Sequence, residues 1–524
     1  MRRLVAIVTA VVTLAVVVRA SPVAAQQPQR EPFPGFDAYV RNTLAAWKVP
    51  GAAIAIVRND SIVYAKGYGV REIGKPAAVD ERTLFAMGSS SKAFTAAAVA
   101  MLVDSGKVRL DAPATTYLPG FQLKDAFASR EITVRDLLSH RSGLARGELI
   151  WYGSDNDRDE ILRRVRFLEP SWSFRSQFGY QNIMYLAAGQ VIAKTMNMSW
   201  DDFIKQRIFQ PLGMTASSTS ITALRGQDNV AAPHADVSDT LRSIPYRNID
   251  NIAPAGSINS NAVDMAQWVR LQLGSGKYAG KQVISKRLVD EMHTAQTIIR
   301  RDGGMGGMNP SAHMMAYGLG WFLSDYEGRY VVQHGGNIDG MTALVAMLPE
   351  EHYGIAILTN MNGSNLPTAL MLRLFDAQLK RPAKDWSAQM RSRIDSARTV
   401  ALAARQRQPD PRVPNTKPSL PLAGYTGAYA DSAYGSLKVT ESNGALNLEY
   451  GSNWRGPLEH YHFDTFRMKL ATPVLPPVPV TFRLNAAGKV DEVQLDLAGL
   501  VTFKKVPDRP ARAAAAAGTG SAPQ

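Results

Sequence analysis

The chain has 524 residues, 45% hydrophobic and none of them cysteine, so an extended apolar core and not disulfides must hold it together. Its 59 Lys and Arg against 45 Asp and Glu give a net charge of +14, a balance that on its own would suit nucleic acid. The distribution argues against such a partner. Lys380 to Lys417 holds ten basic and three acidic residues, hence +7, and its middle, Arg391 to Arg407, has no aromatic side chain on which bases could stack.

Read from the start, Arg2 and Arg3 precede an apolar run from Leu4 to Val18, and Val23-Ala24-Ala25 supplies small residues before Gln26. This three-part pattern predicts a signal peptide over residues 1–25 and an exported protein, periplasmic or secreted. The apolar run is 15 residues, short of the roughly 20 that span a bilayer. Phe36 to Trp47 reads as an amphipathic helix, and Ala52 to Arg58 and Ser61 to Tyr68 as strands joined by a hairpin at Asn59-Asp60. Helical stretches fill the middle: Ser91 to Asp104, Asn182 to Thr195, Ser199 to Phe209 and Ala262 to Leu273. Three more strands are expected at Tyr330 to Gln333, Thr342 to Leu348 and Gly354 to Thr359. Strands from both ends with helices between them predict an α/β (α+β) domain over residues 36–380, its sheet closed by the two ends of the domain. Residues 381–420, with five prolines around a basic helical stretch, read as a solvated linker able to touch an anionic envelope surface. From 421 to 506, short alternating runs such as Leu446 to Tyr450 and Val480 to Leu484 predict an all-β barrel or sandwich. Residues 507–524, rich in Ala, Gly and Pro, read as a disordered tail.

The chemistry starts at Met87-Gly88-Ser89-Ser90-Ser91-Lys92, which opens the helix ending at Ser105-Gly106. A serine at a helix start meets unpaired N–H groups and the positive end of the dipole, which favour an alkoxide. A lysine three residues later returns to the same face, and a buried amine can lose its charge and act as a base. Ser-x-x-Lys is a weak pattern alone, and Ser89 could simply cap a helix that carries an exposed Lys92. The flanks Phe85 to Met87 and Ala93 to Leu102 are apolar on every side, however, so the lysine sits on a buried helix and needs a reason.

Ser89-x-x-Lys92, Tyr180-Gln181-Asn182 and His334-Gly335-Gly336 follow one another in the order of the serine β-lactamase and penicillin-binding-protein superfamily. The chain resembles its branch with Tyr-x-Asn at the second motif, that of class C β-lactamases, D-aminopeptidases, carboxypeptidases and related esterases. Leu137 to Leu144, Pro254 to Ser257 and Leu358-Thr359-Asn360 resemble further landmarks of that family, and the segment around His462 to Phe466 is similar to an appended lipocalin-like module. The resemblance implies a β-lactamase-like fold with a helical subdomain and a serine hydrolase working through an acyl-enzyme, without metal or other cofactor. It implies Ser89 as nucleophile, and Lys92 and Tyr180 as proton carriers, with the choice of base between them open. Asn182 would orient Lys92 and substrate. His334, Gly335 and Gly336 would line the cleft from an edge strand whose glycines admit substrate to the backbone, and the N–H groups of Ser89 and Asn337 would form the oxyanion hole.

Lysine usually stands where this chain has His334 in true β-lactamases, and a neutral histidine weakens the hold on a β-lactam carboxylate. An esterase or D-amino-acid peptidase, acting on a small molecule or peptide, is therefore expected over an efficient β-lactamase. The alternative from another class is a non-hydrolytic penicillin- or muropeptide-binding sensor of the envelope. Tyr246-Arg247-Asn248 and His352-Tyr353-Gly354 repeat two of the motifs but sit in a polar loop and a turn. His460 and His462 resemble half a metal site, yet a solvated strand face accounts for them.

Overall fold

The computed structural model describes residues 30–301, 311–407, 412–470, 475–496 and 499–507. The expected signal peptide and all but the first residue of the expected tail lie outside them.

The larger part is built on one antiparallel sheet of eight strands. In chain order these are β1 (Gly51–Arg58), β2 (Ser61–Gly69), β3 (Thr297–Ile298), β4 (Met315–Tyr317), β5 (Phe322–Tyr326), β6 (Arg329–Ile338), β7 (Met341–Leu348) and β8 (Tyr353–Thr359). Their order in the sheet is β2-β1-β8-β7-β6-β5-β4-β3, so the first and last strands of the domain lie side by side, with Ile54 opposite Ile357. The hairpin between β1 and β2 turns on Asn59 and Asp60, both at positive φ (48° and 60°), as a two-residue hairpin whose twist matches its strands requires.

Every residue of β7 and β8 is buried, because both sheet faces are covered. Ala55, Ala343 and Val345 face the helical body, while Ile54, Leu344 and Ile357 face helices α1 (Phe36–Ala46) and α5 (Leu366–Gln378). Strands buried on both sides lose polar alternation and read as continuous apolar runs. In the helical body, α2 (Ser91–Asp104) packs against α3 (Asn182–Met196), and its Phe94 stacks on Trp268 of α4 (Ala262–Leu273) at 3.9 Å. Removing such a ring costs about 3–5 kcal/mol.

The basic stretch is helical, α6 (Trp386–Arg407), but its first turns are docked. Trp386 and Met390, four residues apart and so on one face, bury against α5, and the Trp386 indole donates to Asp376 at 2.7 Å. From Ser392 onward the described side chains of α6 are mostly exposed.

The last part is a closed antiparallel barrel of eight strands between Gly427 and Lys505, sealed where Tyr429 pairs with Lys505. Closure removes the unpaired edges that would otherwise invite association. Tyr429, Leu448, Val480, Phe482, Val493 and Phe503 fill it. The barrel rests on the loop from Gly147 to Asp155. Tyr450 Oη donates to the Leu149 carbonyl at 3.0 Å, Trp454 Nε1 to Tyr152 O at 2.9 Å, and Asn453 Nδ2 to Gly153 O at 3.1 Å.

Candidate active site

The segment Gly88–Ser90 forms a 3₁₀ turn leading into α2. Ser91 Oγ donates to Gly88 O at 2.8 Å and accepts Ile258 N–H at 3.1 Å, which pins the turn between two backbone segments. Ser89 itself is half-buried and opens onto a cavity of about 540 Å³, within the range of small-molecule sites.

Lys92 is fully buried, and its Nζ lies 3.0 Å from Ser89 Oγ, 2.7 Å from Asn182 Oδ1 and 2.7 Å from Ala255 O. Burial drives its ammonium well below the ordinary lysine range, and the Arg146 cation pushes the same way while Glu148 opposes it. Two of the three contacts, Asn182 Oδ1 and Ala255 O, are pure acceptors. A neutral amine satisfies both with its two N–H bonds and leaves its lone pair toward Ser89. The Tyr180 ring lies under the Lys92 amine, its centroid 4.8 Å away; burial raises its phenol, and the neighbouring Ser89 hydroxyl acts to lower it.

Two further segments hold these groups in place. The landmark around His140 secures the second motif: Gly179 N donates to His140 O at 2.8 Å, and the His140 Nδ1 accepts Gln181 N–H at 3.1 Å. Accepting that bond requires a neutral ring, as does its burial, and the ring lies against Tyr180 at 4.1 Å. Gln181 then caps α3 by accepting Ile183 N–H at 3.0 Å, which sets Asn182 on the first turn facing Lys92. The Pro254–Ser257 landmark supplies the Ala255 carbonyl to Lys92 and the Pro254 carbonyl to Thr95.

The third motif departs from its sequence reading in three respects. Strand β6 is fifth of eight and not an edge strand. Its pairing with β5 nevertheless stops at Gln333, so His334 to Ile338 run past the end of that neighbour. Gly336 accommodates the protein's own backbone and not a substrate: a Cβ there would lie 1.8 Å from Met87 O and 2.9 Å from Ser89 N. Gly88, at φ 50°, is matched to it, since a Cβ there would meet Asn337 N at 2.8 Å. Backbone therefore abuts backbone, and the N–H groups of Ser89 and Asn337 come together. Finally, the His334 ring does not line the cavity. Gly335 O can only accept, at 2.6 Å, so Nδ1 carries the proton and Nε2 accepts from Tyr317 Oη at 3.0 Å. Burial, with Lys92 nearby, lowers this imidazole to about 3. Gly335 sits on the opposite face, in a cleft shared with Gln333 and Thr342.

The structure thus brings Ser89, Lys92, Tyr180, Asn182 and the Asn337 backbone together, and sets His334 and Gly335 behind them. The repeated motifs fall elsewhere: Tyr246 donates to Ala231 O, Arg247 pairs with Asp339, and His352 ends a turn at φ 46°. Among the described residues no cluster of His, Asp and Glu could hold a metal ion; His460 bonds Phe463 O and His462 accepts Val413 N–H.

Sequence reasoning singled out neither Arg146 nor Glu148 as a site residue, although it named the loop from Glu148 to Asp159 as one that shapes specificity. Both Arg146 and Glu148 line the cavity, paired to each other at 2.6 Å, and Glu148 Oε1 lies 3.4 Å from Asn182 Nδ2. Burial raises the Glu148 carboxyl against the pull of Arg146. Their place directly after the His140 landmark was the available signal. The all-β module is a barrel, as expected, but sequence reasoning did not place its Trp454 and Pro476 to Pro479 in one wall of the same cavity.

The family model described as "Beta-lactamase" matches residues 36–423, and one described as "Domain of unknown function (DUF3471)" matches residues 411–508. Unguisins hydrolase ungD of Aspergillus violaceofuscus is 29% identical over 494 residues, 86% of each chain. Unguisins hydrolase ungD' of Aspergillus campestris is 30% identical over 432 residues, 77% of each chain. Among solved structures, the octameric penicillin-binding protein homologue from Pyrococcus abyssi aligns with a TM-score of 0.59 at 21% identity. The alignment covers 89% of this chain and 99% of that one, a likeness of fold.

Proposed function

The chain belongs to the Beta-lactamase family, and we propose that it is an exported serine hydrolase that cleaves an ester or amide bond through an acyl-enzyme on Ser89. The observation that carries this reading is the set of contacts around Lys92 Nζ. With its two N–H bonds directed at Asn182 Oδ1 and Ala255 O, the neutral amine points its lone pair at Ser89 Oγ, 3.0 Å away. Ser89 gives its proton to Lys92 as Oγ attacks the carbonyl carbon, and the carbonyl π electrons move to oxygen. The N–H groups of Ser89 and Asn337 stabilise that oxyanion. The phenol of Tyr180, kept protonated by burial, donates to the leaving oxygen or nitrogen as the tetrahedral centre collapses, and Lys92 returns a proton to it. Water then attacks the acyl carbon and frees Ser89 by the reverse path.

An esterase or D-amino-acid peptidase fits better than an efficient β-lactamase. His334 is neutral, buried and turned from the cavity, so it offers no cation to a β-lactam carboxylate, and Arg146 is occupied by Glu148. The names of the fungal relatives, as hydrolases of unguisins, agree with a hydrolytic role. A hydrolysis screen over p-nitrophenyl esters, D-aminoacyl anilides, D-Ala-D-Ala peptides and nitrocefin tests the reading. Turnover of an ester or D-peptide well above nitrocefin is expected. Nitrocefin turned over as fast as small esters overturns the substrate preference, and no turnover or acylation at all favours a binding sensor.

A further inference from the structure

The barrel does not merely stand beside the cavity. Trp454 reaches from it to the loop that carries Arg146 and Glu148, with its indole N–H on Tyr152 O at 2.9 Å and its ring edge-on to the Tyr152 ring at 6.0 Å. The fit is close, since a Cβ on Gly153 would lie 2.6 Å from Trp454 Nε1. Next to Trp454 the barrel presents Pro477, Val478 and Pro479 to the cavity, and Ile249, Ile252 and Ile338 from the hydrolase part complete an apolar enclosure.

The charged groups around this enclosure are engaged or out in solvent. Asp339 accepts from Tyr152 Oη at 2.7 Å and pairs with Arg247 at 3.0 Å; Glu148 pairs with Arg146; Asp496 is exposed. Neither Asp339 nor Glu148 is left to seek a cation. What the barrel wall offers a ligand is apolar surface, contiguous with the scissile-bond position above Ser89.

We propose that the barrel wall, centred on Trp454 and Pro477, is a specificity subsite that binds a bulky apolar group of the substrate close to the carbonyl that Ser89 attacks. This rests on the hydrolase reading and adds the substrate class: an ester or amide with an apolar substituent of aromatic or long-aliphatic size. Each buried methylene favours binding several-fold, and only the barrel and the hydrolase part together enclose such a group.

The test uses the full chain and two series of aliphatic esters. In one the acyl chain lengthens from about two to ten carbons with a fixed alcohol; in the other the alcohol lengthens on a fixed acetate. The expected result is that kcat/KM rises at least about tenfold along one or both series. Trp454→Ala and, separately, Pro477→Asp should flatten that rise about tenfold or more. Pro477 is exposed, so its variant keeps the test informative if Trp454→Ala, in the barrel core, unfolds in a thermal melt. A flat wild-type profile in both series overturns the proposal, as does a rise that survives in Pro477→Asp and in any folded Trp454→Ala. Failure of the hydrolase reading looks different: Ser89→Ala would then hydrolyse every ester as well as the parent.

Discussion

At the floor of the cavity polar groups are buried and committed to one another: Lys92 to Ser89, Asn182 and Ala255, and the turn at Gly88 to the strand at Asn337. At the barrel wall the surface is apolar and, at Pro476, Pro477 and Pro479, exposed. The floor is held by directional contacts in which small displacements matter, because a buried polar group that loses its partner costs about 1–3 kcal/mol. The wall acts through area and tolerates change in proportion to the surface removed. Substitutions at the floor should therefore act on the rate for every substrate, and substitutions at the wall on the ranking among substrates.

The largest expected effect breaks that contrast at its centre. Ser89→Ala should lower kcat by about 10⁴-fold or more for every substrate, measured in steady state. An effect confined to some substrates would mean that the floor selects and does not react. Next, Gly336→Ala should reduce kcat about 10²-fold or more, because its Cβ would meet Met87 O at 1.8 Å and push the Ser89 and Asn337 N–H groups apart. Gly335→Ala, where the nearest atom would be 3.5 Å away, should be far milder. Equal losses at the two glycines would refute the backbone contact as the reason for Gly336.

A subtler effect concerns pH. Lys92 is held below its ordinary range by burial and then by Arg146, and lifted by Glu148. If the neutral amine is the working form, kcat/KM rises with pH through this depressed pKa. Arg146→Ala removes the opposing cation, so the acidic limb should move to higher pH. Glu148→Gln should move it to lower pH. Limbs that stay put, or move the other way, would assign the limb to another group. The smallest effect lies at the seam: Tyr450→Phe removes the hydroxyl that bonds Leu149 O and Tyr434 O. It should cost about 1 kcal/mol in denaturant unfolding of the barrel and leave the kcat for short esters nearly as it was.

The same contrast explains what was legible in the sequence. The floor rests on local patterns: Ser89 and Lys92 are one helical turn apart, Gln181 caps the helix that begins at Asn182, and an apolar helix all round betrays its burial. The resemblance to a known superfamily joined these distant segments, which spacing could not do. The roles of the Ala255 carbonyl and Arg146 escaped notice, because a backbone oxygen has no residue signature and an arginine in a loop looks solvated. Strands β3 to β5 were missed for their shortness, two to five residues each. The module was read as an all-β barrel or sandwich, yet its share in the cavity depends on tertiary docking through Trp454 and Tyr450, which no local period records.

The most direct measurement is intact-protein mass spectrometry after brief exposure to a serine-reactive fluorophosphonate, followed by peptide mapping. The account predicts one adduct per chain, carried by the peptide containing Ser89, absent in Ser89→Ala and strongly slowed in Lys92→Met. An adduct at another serine, or undiminished labelling when residue 89 is alanine, would contradict it.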